Sequence, residues 1–346
     1  MRKIAGLVIF GILLFGYWKY DSTKQDQGIV EEEIGSNSNI EQVDDVLGNN
    51  ETLKIEALRK LELSPTEVVE EERIGSESRY QKSIVSYMSE GNKVFALLGL
   101  PKGEAPTLGW PVIIFNHGYI DPKIYRTNER YVAYFDRLVL AGYVVVKSDY
   151  RGHGLSQGEA VGGYGSDGYT RDVRQLLVNM KEYPGVNPER IGMWGHSMGG
   201  HITLRTMVSS PDVKAGVIWA GVVASYPDLL NNWRRSPRPL PSPSYPGRRW
   251  RTILQEEYGT PEDNPEFWNS ISASSYLDQI SGPVQLHHGT ADTSVPVEFS
   301  EKLAVKIEEV DKLAELYVYP GDDHNLSQNF GTAMSRTIKF FDTYLK

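Results

Sequence analysis

From residue 111 onward the chain repeats one pattern, and that pattern leaves few folds open. Short apolar runs end in polar or glycine residues: PVIIFN (111–116), YVVVKSD (143–149), RIGMWG (190–195), AGVIWA (215–220), PVQLHHG (283–289) and AELYVYPG (314–321). Between them, residues 128–141, 169–183, 198–209, 297–310 and 330–345 carry apolar residues at helical spacing. Continuously apolar strands separated by helices predict an α/β chain, with a mostly parallel sheet covered on both faces. Ahead of them, SIVSYMS and KVFALLGL turn at Glu90-Gly91-Asn92 and predict a hairpin at the sheet's antiparallel edge. One stretch breaks the rhythm. Residues 225–275 contain RRSPRPLPSPSYPGRRW, too rich in proline for a sheet, and are expected to form an insertion or lid above it.

With 346 residues and 40% hydrophobic content the chain can bury a sizeable core. A net charge of -9 with scattered basic residues lacks the basic face of a nucleic-acid binder, so no nucleic-acid partner is expected. The absence of cysteine excludes disulfides, a cysteine-based zinc site and a cysteine nucleophile. At the N-terminus, Met1-Arg2-Lys3 precedes the apolar run IAGLVIFGILLFGYW and a polar stretch from Lys19 to Lys24. The basic flank, the aromatic end and the lack of a small-residue cleavage site predict an uncleaved signal anchor over 1–20, with the body outside the membrane. Because the run is shorter than a full span, a cleaved signal and a buried helix are the alternatives. Residues 21–52 are too polar to bury a core and read as a tether. Residues 53–80 read as a short helical lead-in, where LKIEALRKLEL is stopped by Pro65. The main domain is expected over 81–346.

Ligands of an open parallel sheet bind at the carboxyl ends of its strands. There, IGMWGHSMGG (191–200) runs from strand to helix with one serine at the corner. A turn that sharp leaves no room for side chains at Gly195 and Gly199, and it presents the Ser197 hydroxyl as a G-x-S-x-G nucleophile elbow. A serine hydroxyl needs a base, and the base needs a carboxylate to orient it. In the chain order serine, acid, histidine, only His324 follows every acidic candidate, in the loop PGDDHNL; a capping role before the last helix is its bland alternative. Asp292, after the penultimate strand, can face that loop. Asp278 precedes the strand, and Asp322 and Asp323 lie too near His324 in sequence to orient its ring. The oxyanion donors expected are the N–H groups of Met198, in the elbow, and Tyr119, in the loop FNHGYIDP. His117 has no partner at metal-ligand spacing, His287 and His288 point to opposite faces, and no metal is expected. SDYRGHGLS lacks the lysine of a phosphate loop, so its glycines are assigned to turns and Asp149 with Arg151 to a structural pair. No G-x-G-x-x-G turn follows the first strands, and no cofactor is expected. His196 and His201 flank the elbow as packing or hydrogen-bonding neighbours.

Together NHGY, DYRGHGLS, GHSMGG, GTADTSVP and GDDH resemble the α/β-hydrolase superfamily, and most closely the catalytic domains of the prolyl oligopeptidase group with its dipeptidyl aminopeptidase and acylaminoacyl-peptidase relatives. The resemblance covers residues 81–346 and implies Ser197, Asp292 and His324 as a triad. Those peptidases carry a β-propeller ahead of the hydrolase domain, which the residues before 81 do not supply, so esters of small acids stand beside short peptides as expected substrates. A binding module that reuses the fold without catalysis is the alternative reading. In the lid, Arg234, Arg235, Arg248, Arg249 and Arg251 either lie solvated or hold a substrate carboxylate.

Overall fold

The apolar runs pair as parallel strands in a single sheet. The computed structural model describes residues 50–76, 79–233 and 250–346. A 3-10 turn (Asn50–Leu53) and the short helix α1 (Ile55–Arg59) precede β1 (Val69–Ser76), β2 (Tyr80–Ser89) and β3 (Asn92–Pro101). Strands and helices then alternate: β4 (Trp110–Asn116), α2 (Val132–Leu140), β5 (Val144–Ser148), α3 (Gly168–Lys181), β6 (Val186–His196), α4 (Met198–Ser209) and β7 (Ala215–Trp219). The lid stretch contributes α5 (Tyr226–Asn231), α6 (Trp250–Tyr258) and α7 (Pro265–Ile271) before β8 (Val284–Gly289), α8 (Glu298–Glu308), β9 (Ala314–Tyr319) and α9 (Phe330–Leu345).

The sheet order is β1-β2-β3-β5-β4-β6-β7-β8-β9. The first three strands pair antiparallel with one another, β3 joins β5 antiparallel, and every contact from β5 to β9 is parallel. After β4 the chain steps one way to β5 and then crosses back to β6, so the connections diverge between β4 and β6. A crevice opens at the carboxyl ends of strands where the order reverses. The loop after β4 and the turn after β6 both emerge there.

Alternation along the strands feeds two cores. On β4, Val112 and Ile114 join Leu176, Ile202 and Met207 on one face, while Ile113 and Phe115 meet Phe135, Leu138 and Phe341 on the other. Fully buried side chains of this size each contribute about 1.5–3 kcal/mol, so the two faces supply the main favourable term of folding.

Three expectations need correction. The hairpin β2–β3 is not the edge, because β1 pairs outside it within the segment expected to be a helical lead-in. Its sequence, VEEERIGS, shows no apolar alternation: Glu70, Glu71 and Glu72 face solvent and the neighbouring strand, with Lys93 pairing to Glu71 at 2.6 Å and the register slipping twice. Charge and irregularity of this kind protect an exposed edge, and they also remove the pattern by which a strand is read. The lead-in helix itself is only the five residues of α1. Finally, Arg151 pairs with Asp172 at 2.7 Å and Glu90 at 2.9 Å instead of Asp149. Asp149 accepts from Tyr125 and Thr127 at 2.9 and 2.5 Å. The apolar run over 1–20 and most of the tether lie outside the described residues; among those described, no helix is long and apolar enough to cross a membrane.

Six histidines sit in the buried interior, and in five of them burial disfavours the protonated ring. Burial pushes His153 down to about 4 and His196, His201 and His287 to about 3, and it holds His117 well below the usual range, where the charges of His153 and Lys147 add to the effect. An unfolded histidine titrates near 6.5, so between that pH and about 4 the unfolded chain binds protons that the folded chain does not. Stability is therefore full above pH 6.5 and lost as pH falls, at about 1.4 kcal/mol per pH unit for each such histidine. Buried Asp149, raised to about 7, and Asp172, also raised by burial, act in the opposite direction but are outnumbered. Urea midpoints measured from pH 7.5 to 4.5 are expected to fall steeply below pH 6.5. A flat profile would show that the folded protein protonates these rings.

Candidate functional site

The elbow forms because two glycines let α4 lie against the sheet. A Cβ on Gly195 would overlap the Gly199 carbonyl and the Thr203 hydroxyl, and one on Gly199 would overlap the Asn116 carbonyl at the end of β4. Ser197 stands between them at φ 55° and ψ -117°, a conformation costing a residue with a Cβ about 1–3 kcal/mol. Bonds to both sides hold it: its N–H donates to Trp219 O at 3.0 Å, and its carbonyl accepts from Gly200 and Val222, each at 3.0 Å. Met198 is the first residue of α4, so its N–H has no acceptor within the helix and lies at the positive end of the helix dipole. The loop after β4 brings Gly118 against the serine, since a Cβ there would stand 3.1 Å from Ser197 Cβ. Tyr119 is the next residue, with its side chain exposed.

Asp292 and His324 meet where the loops after β8 and β9 are tied together. Thr290 N–H donates to Tyr319 O at 3.0 Å and Ala291 N–H to Asp322 O at 2.9 Å. Across that junction, His324 Nδ1 lies 2.7 Å from Asp292 Oδ2, with the carboxylate fully buried and the imidazole 20% exposed. The neighbouring carboxylates build the loop instead of competing for the ring. Asp322 accepts from the N–H groups of Asp323, Gln328 and Asn329 at 2.9–3.1 Å, and Asp323 from those of Asn325 and Ser327, each at 3.0 Å. Asp278 lies in the 3-10 turn Leu277–Gln279 ahead of β8, at the other end of that strand.

The Asp292 carboxylate is saturated. Its Oδ1 accepts from Ser294 and Val295 N–H at 2.7 and 3.0 Å, while Oδ2 takes a second imidazole, His288 Nε2 at 3.1 Å, beside His324. Burial by itself would raise this acid, but the bonds from His288 and His324 outweigh it and hold the carboxyl well below its ordinary range. The sequence treats the HHG pair only as candidate metal ligands; the spacing of four from His288 to Asp292 is the signal for this contact. The two histidines do part: His287 stacks on Tyr317 and bonds Tyr319 on one face, and His288 contacts Ser300 and Asp292 on the other. Among the described residues no group of three or more His, Asp or Glu side chains could hold a metal ion.

The lid reaches this junction. Trp233 Nε1 donates to Ser294 O at 2.8 Å, and Lys302 on α8 pairs with Asp228 on α5 at 3.0 Å. Arg251 lies over the rings of Trp250 and Trp233, at 4.9 and 5.3 Å, and donates to Leu229 O at 3.0 Å, so it braces the lid. Arg234, Arg235, Arg248 and Arg249 lie outside the described residues.

Comparison with known proteins finds relatives of the same fold. A family model described as serine aminopeptidase, S33, matches residues 111–267. The uncharacterized peptidase YuxL of Bacillus subtilis is 27% identical over 223 residues, covering 63% of this chain and 31% of that protein. The probable dipeptidyl-aminopeptidase B of Ajellomyces capsulatus is 27% identical over 237 residues, covering 66% of this chain and 23% of its own. The chain thus spans under a third of the length of these two relatives. Acetyl xylan esterase 1 from Thermoanaerobacterium superposes with a TM-score of 0.59 at 18% identity, over 90% of this chain and 100% of the esterase, which shows a shared fold. The structure has the α/β-hydrolase fold, and over residues 111–267 the chain is similar to the serine aminopeptidase family, with relatives and structural neighbours that carry peptidase and esterase names.

Proposed function

We propose that the chain hydrolyses ester bonds of small acids or amide bonds of short peptides through an acyl-enzyme on Ser197. The observation that carries this reading is the 2.7 Å contact between His324 Nδ1 and a buried, ionised Asp292, set at the same sheet edge as the strained serine. With Nδ1–H held by the carboxylate, His324 Nε2 is the nitrogen left to accept a proton. Ser197 Oγ attacks the carbonyl carbon as its proton passes to His324; the C–O or C–N bond then breaks as the proton moves to the leaving group. Water repeats the sequence to release the acid. The negative charge on the carbonyl oxygen falls to the N–H groups of Met198 and Tyr119. Peptidase and esterase names both occur among the relatives and neighbours.

A fluorophosphonate probe is expected to label Ser197, and Ser197→Ala to abolish labelling. Asp292→Asn should lower kcat by about 10⁴-fold, as in triads where the amide favours the wrong tautomer, while Asp278→Asn leaves it within about twofold. No labelling of the native protein would favour a non-catalytic binding module, and a reversed order of the two aspartates would move the acid elsewhere.

We also propose that the apolar run over 1–20 holds the protein at a membrane, with the hydrolase domain outside the cytoplasm. Its support is the basic Met1-Arg2-Lys3 flank and the Tyr17-Trp18 end of the run. The native protein should sediment with membranes and resist 1 M salt, roughly the ionic strength that screens surface charge within 3 Å. Deletion of residues 1–24 should release it in active form. A native N-terminus near Asp21 would show a cleaved signal instead.

A further inference from the structure

The residue before the nucleophile is a histidine that the acyl-transfer scheme does not use. His196 is buried, and its Nε2 lies 2.9 Å from the backbone carbonyl of His324. A carbonyl only accepts, so Nε2 carries the proton, and a neutral ring then leaves Nδ1 as an acceptor. Tyr131 O–H, 2.7 Å from Nδ1, must be the donor to it. The same hydroxyl oxygen accepts the N–H of Gly118 at 3.0 Å. Every group in the chain Gly118 N–H, Tyr131 O–H, His196, His324 C=O therefore has a single direction. The two imidazoles are also in contact, with ring centroids 4.6 Å apart and planes tilted by 53°.

These bonds join the loop that precedes the Tyr119 N–H to the loop that carries the base, with Ser197 between them. Two further features fit a demand on this junction. A side chain at 118 would strike the Tyr131 hydroxyl at 2.7 Å, His196 Nδ1 at 3.2 Å and Ser197 Cβ at 3.1 Å, so only glycine permits the convergence. Tyr131 also occupies the N-cap of α2, a place suited to Ser, Thr, Asp or Asn, and both it and Arg130 adopt left-handed backbone, at φ 55° and 56°. The Tyr131 carbonyl accepts Phe135 N–H at 3.0 Å, but its side chain makes no cap bond; the hydroxyl serves the junction instead.

We propose that Tyr131 and His196 form a positioning pair that sets the oxyanion loop and the base loop in register about Ser197. The inference rests on the acyl-transfer reading given above. Small displacements of a reacting geometry cost up to about 100-fold in rate, and the pair acts on kcat without touching substrate. Tyr131→Phe tests it, because the phenyl ring keeps the edge contacts to Phe115, Tyr134 and Trp194 at 5.5–6.2 Å and removes only the hydroxyl.

With p-nitrophenyl butyrate as substrate, Tyr131→Phe is expected to lower kcat about 10- to 100-fold while KM stays within about threefold, less than the roughly 10²–10³-fold lost with an oxyanion donor itself. Affinity for phenylboronic acid, which becomes tetrahedral on the serine, should fall in parallel with kcat. His196→Asn should fall by a similar factor, and the double variant should be no slower than the worse single one, because both break one chain. An unchanged kcat with a lowered melting temperature, a loss confined to KM, or strictly additive losses would overturn the pair. Failure of the native protein to hydrolyse the ester would instead overturn the acyl-transfer reading, so the two failures are separable.

Discussion

Helix α4 rests directly on the end of β4, and the rest of the site follows from that approach. No Cβ fits at Gly199 because the Asn116 carbonyl occupies its place, so helix and strand meet at backbone distance. Closing that gap forces the chain to turn within one residue, and Ser197 takes the positive φ that results. The energy stored there, about 1–3 kcal/mol, is offset by the fully buried strands on either side. The same proximity brings the loop after β4 against the serine, so Ser197 and the backbone proposed to hold the oxyanion come from one packing event.

The Asp292–His324 side is built differently, by loops tied to each other instead of by a helix on a sheet. Asp292 is surrounded by donors, with two backbone N–H groups on one oxygen and two imidazoles on the other. A buried carboxylate so satisfied remains charged and cannot turn, which suits an orienting acid and would not suit a proton donor. The lid bears on the same loop through Trp233 and the carbonyl of Ser294, the residue whose N–H donates to Asp292. The turn that holds the acid therefore contacts the segment that follows β7.

Legibility in the sequence followed how local each determinant is. The parallel strands β4 to β9 are marked by short apolar runs, and the elbow by two glycines around a serine, so both could be read within a few residues. Asp292 and His324 could be brought together because strand direction dictates which loops share an edge. The strand β1 was lost because an edge protected by three glutamates carries no apolar alternation. The Asp149–Arg151 pairing failed for another reason: Arg151 finds Asp172 on α3, and nothing in the spacing of charges says which helix will pass beside them. Tyr131 carries no signal in the sequence, because the partner of its hydroxyl lies 65 residues away and is fixed only by the packed fold, whereas His288 stands four residues before Asp292.

The central claim is that Ser197 forms a covalent acyl intermediate. Mixing the protein with excess p-nitrophenyl butyrate and following p-nitrophenol on the millisecond scale, with acid quench and peptide mass analysis, tests it directly. The account predicts a burst of about one equivalent of p-nitrophenol per chain, as expected when an acyl-enzyme accumulates, with a butyryl group on the peptide containing Ser197. An acyl group on any other residue would contradict it.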